Sequence, residues 1–208
     1  MKLRSMNPIP SLPSHHYQAQ FTALKDQISP HFLFNSLSVL SALVRRDPDL
    51  AEQFIDQLAR VYRYLLEHRD TERVTLEEEL DFARSYAFLL EVRFGRRFKV
   101  NIPTAPAWQH YTLLPFTLQL LIENAIRHNR MSAADPLVID ICLCALEQGS
   151  CLSVCNNRQI RSRPDGGRGH GLAGIQHRYA QLTGRLVQVL PEADCFTVNI
   201  PLSGQDTL

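Results

Sequence analysis

Between residues 30 and 45 the apolar positions return every three or four residues. Leu33, Leu37, Leu40 and Val44 fall four, three and four apart, the repeat of one helix face. The pattern predicts a helix over about residues 16–45. His31, Asn35, Ser38 and Ala42 repeat at the same spacings on a second face, polar and small, so His31 lies off the main apolar seam. "RRDP" closes this helix; Asp47 is a good N-cap and Pro48 suits the first turn of the next. Leu50, Phe54, Leu58, Val61 and Leu65 stripe a second helix to about His68. The short turn predicts antiparallel packing. Neither helix of such a hairpin hides its apolar surface alone, whereas two hairpins in a four-helix bundle do, so a homodimer is expected.

"TLEE" at residues 75–78 reads as a capping box, the Thr75 hydroxyl and Glu78 carboxylate serving two orphan backbone donors. A third helix follows to about Phe94, with Leu76, Leu80, Ala83, Ala87 and Leu90 in register. "GRRFKVNIP" then switches to a strand-like period. Beyond it, "LLPFTLQLLIENAIRHN" reads as a helix, "LVIDICLCAL" and "CLSVC" as a strand hairpin, and "NNRQIRSRPDGGRGHG" as a long Gly- and Arg-rich loop. "LAGIQHRYAQL" is a further helix, and "RLVQVL" and "CFTVNIP" are closing strands. The expected class is α+β, with helices on one face of a mixed sheet. The expected divisions are a loose segment at 1–15, the helical hairpin at 16–74 and the α/β part at 75–208, with 75–97 as the connecting helix.

Charge narrows the partners. Lysine plus arginine number 22 against 21 acidic residues, which argues against a broad nucleic-acid footprint. No apolar run approaches the ~20 residues needed to cross a bilayer, and "MKLRSMNPIPSLPSHH" lacks the apolar core of a signal peptide. The chain is expected to be soluble and cytoplasmic, or the inner portion of a longer protein at the inner face of the membrane, with any membrane segment upstream. The five cysteines form no CxxC pair and are expected as reduced thiols packed as small hydrophobes.

Three stretches carry candidate chemistry. Glu123, Asn124, Arg127 and His128 crowd one and a half helical turns. An exposed face with a Glu123–Arg127 ion pair would account for them. Yet Asn124 follows Leu120, Leu121 and Ile122, and an amide in that setting needs a partner. Mg²⁺ bearing phosphate oxygens would be one, since Mg²⁺ takes few protein ligands. In "GGRGHGLAGI", Gly169 and Gly171 lead into a helix whose N-terminal amides suit phosphate; no Lys-Ser or Lys-Thr follows, so this is no Walker A loop. His31 is one of eight histidines, but Asn35 stands one turn on and Pro30 directly before it. A proline inside a helix costs ~3 kcal/mol, so a bend at the histidine is expected to have a use.

These pieces, in this order, resemble the LytS/YehU-like sensor histidine kinases of bacterial two-component systems. The resemblance rests on "LKDQISPHFLFNSLSVLSAL", "LARVYRYLLE", "VTLEEELDFARSYAFLLEVRFGRRFKV", "LLPFTLQLLIENAIRHN" and "GHGLAGIQHRYAQLTG". The "ENAIRH" and "GHGL" boxes are similar to those of the wider GHKL fold shared with gyrase, Hsp90 and MutL. The resemblance implies a Bergerat-type α/β sandwich that binds ATP and Mg²⁺, with His31 as phosphoacceptor and a response regulator as partner. It implies Asn124 as the Mg²⁺ ligand, Arg127 and His128 by the phosphates, and Glu123 near the reacting end. Gly169, Gly171 and Leu172 match the second glycine box, the loop from Arg158 to Arg168 matches the ATP lid, and Asn35 matches a residue that helps dephosphorylate the partner. A first glycine box of the form Asp-x-Gly-x-Gly is absent: "VCNNRQ" stands there, with Asn156 at the Asp position. An Asn carbonyl still accepts from the adenine amino group, without the charge. Residue 129 is Asn where glycine is frequent, and Phe32 stands where other kinase classes place an acid. The alternative is a dimeric scaffold that binds a regulator with little or no autokinase activity; a serine kinase of the anti-sigma type is a third reading.

Overall fold

The computed structural model describes residues 30–104, 110–146, 149–160 and 172–204. Helix α1 (Pro30–Arg46) and helix α2 (Pro48–Glu67) are separated by Asp47 alone, whose Oδ1 accepts from the Leu50 amide at 3.1 Å. The stretch of the first helix expected upstream of Pro30 lies outside the described residues. On α2 the expected stripe holds, with Phe54, Val61 and Leu65 buried and Leu58 packed against them. On α1 it does not. The seam that meets the body of the protein is Phe32, Ser36, Val39, Leu40 and Leu43, whereas Leu37 and Val44 are exposed together with Phe34. Ser36 is the physical reason. Its small side chain, bonded to the Phe32 carbonyl at 2.9 Å, sits buried within the seam and conceals it from a hydrophobic count.

Strand β1 (Val74–Thr75) leads into helix α3 (Leu76–Phe94), and the Thr75–Glu78 capping box is present in both directions. Leu76, Leu80, Ala83, Ala87 and Leu90 are all buried. A short 3₁₀ turn (Gly95–Arg97) then passes into strand β2 (Phe98–Asn101). Strand β3 (Tyr111–Leu113) precedes helix α4 (Thr117–His128). Strands β4 (Leu137–Leu146) and β5 (Gly149–Asn157) form the expected hairpin. Helix α5 (Leu172–Thr183) and strands β6 (Gln188–Pro191), β7 (Cys195–Pro201) and β8 (Ser203–Gly204) complete the chain.

The main sheet runs β2-β4-β5-β7-β6, with β2 parallel to β4 and the other pairs antiparallel. A second sheet, β1-β3-β8, has strands of two or three residues, too short to show a period in the sequence. One hydrophobic cluster runs from Phe54 on α2 through α3 and α4 to Ile200 and Leu202. The protein is thus α+β with a mixed sheet, as expected.

Two further expectations are corrected. Helix α4 starts at Thr117 rather than in "LLPF", because Phe116 takes a left-handed conformation (φ 65°) after Pro115. The register of β4 and β5 sets Cys144 opposite Cys151, and the two form a disulfide with Cα atoms 5.1 Å apart. Only Cys142, Cys155 and Cys195 are free, so the reading of five reduced thiols does not stand. The register, invisible to a spacing rule, makes the pair.

Candidate functional site

Helix α4 is anchored before it carries anything. Its N-terminal amides meet the carboxylate of Glu79 on α3: Phe116 N donates to Oε2 at 3.1 Å and Leu118 N to Oε1 at 2.8 Å. The Tyr64 hydroxyl on α2 donates to the same Oε2. A carboxylate on orphan helix amides complements both their hydrogen bonding and the helix dipole. Glu79 is fully buried, and burial pushes its carboxyl up to about 7 despite these donors and the charge of Arg178. Tyr179 adds a second fixing point, accepting from the Leu114 amide at 3.3 Å and meeting the Thr117 hydroxyl at 3.1 Å.

With Leu118, Leu121, Ile122 and Ala125 turned into the core, the opposite side of α4 presents Glu123, Asn124 and Arg127, each half-buried, and His128, exposed. The structure brings these four together on one helix, but not as an ion pair. Glu123 Oε1 instead accepts from the Tyr86 hydroxyl at 2.8 Å and from Gln119 Nε2 at 2.9 Å. Burial, and the Glu123 charge after it, raise the Tyr86 phenol. The Asn124 amide has no hydrogen-bond partner among the described residues.

The C-terminal end of α4 is tied to the exit of β5. Asn129, buried, donates from Nδ2 to the Ala125 carbonyl at 2.9 Å and accepts on Oδ1 from the Gln159 amide at 2.8 Å. Arg130 N donates to the Gln159 carbonyl at 2.7 Å. Next to this clamp lies an open depression of about 570 Å³ whose walls include Arg130, Met131, Arg158 and Ile160. Asn156, buried on β5 between Ile139 and Phe196 of the flanking strands, directs Nδ2 at the Asn157 carbonyl (2.7 Å). Leu172, at the start of α5, packs against the core. Gly169, Gly171 and residues 161–168 of the Arg-rich loop lie outside the described residues.

His31 is exposed in the first described turn of α1. Asn35 Nδ2 donates to the His31 carbonyl at 2.6 Å, so its donor is held within the helix. Phe32 turns the other way, its ring 5.2 Å from that of Tyr86.

Sequence reasoning passed over Glu79 and Tyr86, and marked Asn129 only as standing where glycine is frequent. A signal existed for the first two. Glu79 lies three residues after Leu76 and four before Ala83, and Tyr86 three after Ala83 and four before Leu90, so both share the buried face. An acidic run such as "EEE" normally reads as solvated, which hid Glu79. For Asn129 nothing in the sequence signals a clamp to a residue thirty positions away.

Among the described residues no helix is long and apolar enough to cross a membrane, and no group of three or more His, Cys, Asp and Glu side chains is placed to hold a metal ion.

Residues 19–98 match the histidine kinase family. Over 110 residues the chain is 36% identical to the sensor histidine kinase/phosphatase LytS of Staphylococcus aureus strain MRSA252, and equally to that of strain Mu50. The match takes in 53% of this chain and spans 19% of the length of those relatives. A histidine kinase structure from Burkholderia phymatum STM815 aligns over 86% of this chain and 99% of its own, at 13% identity and a TM-score of 0.40, too distant to carry an argument.

Proposed function

We propose, on the match of residues 19–98 to the histidine kinase family and the 36% identity to LytS over 110 residues, that this chain is a LytS-like histidine kinase that transfers the γ-phosphoryl group of MgATP to His31 and from there to an aspartate of a response regulator. The observation that carries the reading is Asn124: a half-buried amide with no protein partner among the described residues, on the helix that also carries Glu123, Arg127 and His128. Open in part to solvent, that amide is placed to exchange water for a ligand.

The residues present fit MgATP. Asn124 Oδ1 would hold Mg²⁺, a hard cation that takes one or two protein oxygens beside phosphates and water. Arg127 and His128 would lie along the phosphates as donors. Asn156 commits Nδ2 to the Asn157 carbonyl, which leaves Oδ1 to accept from the adenine amino group. Gly169, Gly171 and Leu172 would close over the phosphates, with the loop from Arg158 to Arg168 as lid. Bound MgATP supplies the phosphoryl group; the protein positions it and balances its charge. His31, exposed in the first described turn of α1, accepts the group on an imidazole nitrogen. Phe34, Leu37 and Val44, exposed on α1, would meet a second copy in a dimeric four-helix bundle. Residues 16–74 would then form the dimerising part and residues 75–208 the ATP-binding part.

Titration calorimetry with MgATP tests this reading. Asn124→Ala should weaken binding by at least about tenfold, or ~1.4 kcal/mol. Equal affinity in both proteins would contradict it.

A further inference from the structure

Tyr86 has both ends of its side chain engaged. It is buried near the middle of α3. On one side its ring meets Phe32, the residue after His31, at 5.2 Å between centroids. At the other end its hydroxyl donates to Glu123, the residue before Asn124. Phe82 stacks on the ring at 6.0 Å and Gln119 donates to the same Glu123 oxygen, so neither contact is free to swing. An O–H donor on a carboxylate is among the stronger hydrogen bonds, and burial from water strengthens it.

Each contact restrains something that would otherwise move. The first described turn of α1 reaches the body of the protein through Phe32; the next seated residues, Ser36 and Val39, lie one and two turns further on. Among the described residues of that turn, Phe32 is the one packed against the hydrophobic core. Glu123, half-buried on α4, has a long side chain with several rotamers, and two donors on one oxygen select one of them.

We propose that Tyr86 is a positioning residue: its ring seats the His31 turn of α1 and its hydroxyl fixes Glu123 beside Asn124, so that phosphoacceptor and nucleotide helix are registered against one side chain. This deepens the kinase reading and rests on it. Tyr86 touches neither substrate nor the transferred group; it acts through Phe32 and Glu123. The role asks nothing of ATP affinity, because Asn124, Arg127, His128 and Asn156 are untouched by either contact.

The test uses the full chain with γ-labelled ATP and Mg²⁺, comparing wild type, Tyr86→Phe, Phe32→Leu, the double variant and His31→Ala. Tyr86→Phe keeps the ring and removes the bond to Glu123; Phe32→Leu keeps an apolar residue and removes the ring contact. Each single variant should lower the maximal labelling rate about tenfold with the KM for ATP within about twofold of wild type. The double variant should fall no more than about twofold below the slower single, since both cut one linkage. Single variants that keep the wild-type rate, or that raise KM at an unchanged maximal rate, overturn the positioning role. If wild type labels and His31→Ala does not, that failure leaves the kinase reading standing. If wild type takes no label, the kinase reading itself falls and the positioning role with it.

Discussion

Glu79 shows how one side chain can organise a site it never touches. Its two oxygens take the Tyr64 hydroxyl and the amides of Phe116 and Leu118, joining α2, α3 and the start of α4. Charged and polar groups bear on it from each neighbour: Tyr64 from α2, Tyr179 and the Arg178 charge from α5. Burial lifts its carboxyl from 4.5 to about 7. A carboxyl raised on folding binds its proton more tightly in the native state. The stability it contributes is therefore complete below pH ~4.5 and lost as pH rises through ~7. Relative to Glu79→Gln, which stays neutral, the wild type should lose melting temperature between about pH 5 and about pH 8. Parallel melting curves for the two proteins across that range would show that Glu79 does not ionise there.

The elements were legible where the apolar repeat in the sequence coincides with buried positions. Helices α2 and α3 follow their stripes, and the capping box marks the start of α3 to the residue. Helix α1 was harder because it has two apolar faces. The seam of Phe32, Val39, Leu40 and Leu43 passes through Ser36, and a spacing rule skips the serine and borrows Leu37 and Val44 from the other face. Strands β1, β3 and β8 are held by pairing partners far along the chain, which no local window contains. The same holds for Cys144 and Cys151. The outward face of α1, with Phe34 67% and Leu37 47% exposed, exposes large apolar side chains that a second copy would cover. Leu37→Glu should convert a dimer to a folded monomer, seen as a halved mass by light scattering with unchanged circular dichroism. An unchanged mass would place any self-association elsewhere.

At the scale of the whole molecule, the hydrophobic cluster joins α2, α3, α4 and the main sheet, and α1 lies against it through a short seam. The candidate site was legible as a set of motifs: Glu123, Asn124, Arg127 and His128 do share a helix, and Asn156 lies on the strand whose exit is clamped to that helix through Asn129. What no motif contained is the run of contacts from Phe32 on α1 through Tyr86 to Glu123 on α4. On the proposed function, the α/β part delivers a phosphoryl group to the imidazole of His31. The most direct measurement is the chemical stability of the label after incubation with γ-labelled ATP and Mg²⁺. A phosphoramidate that is lost in acid, survives alkali and is absent from His31→Ala is the predicted result; an acid-stable label, or a label of equal intensity in His31→Ala, would contradict it.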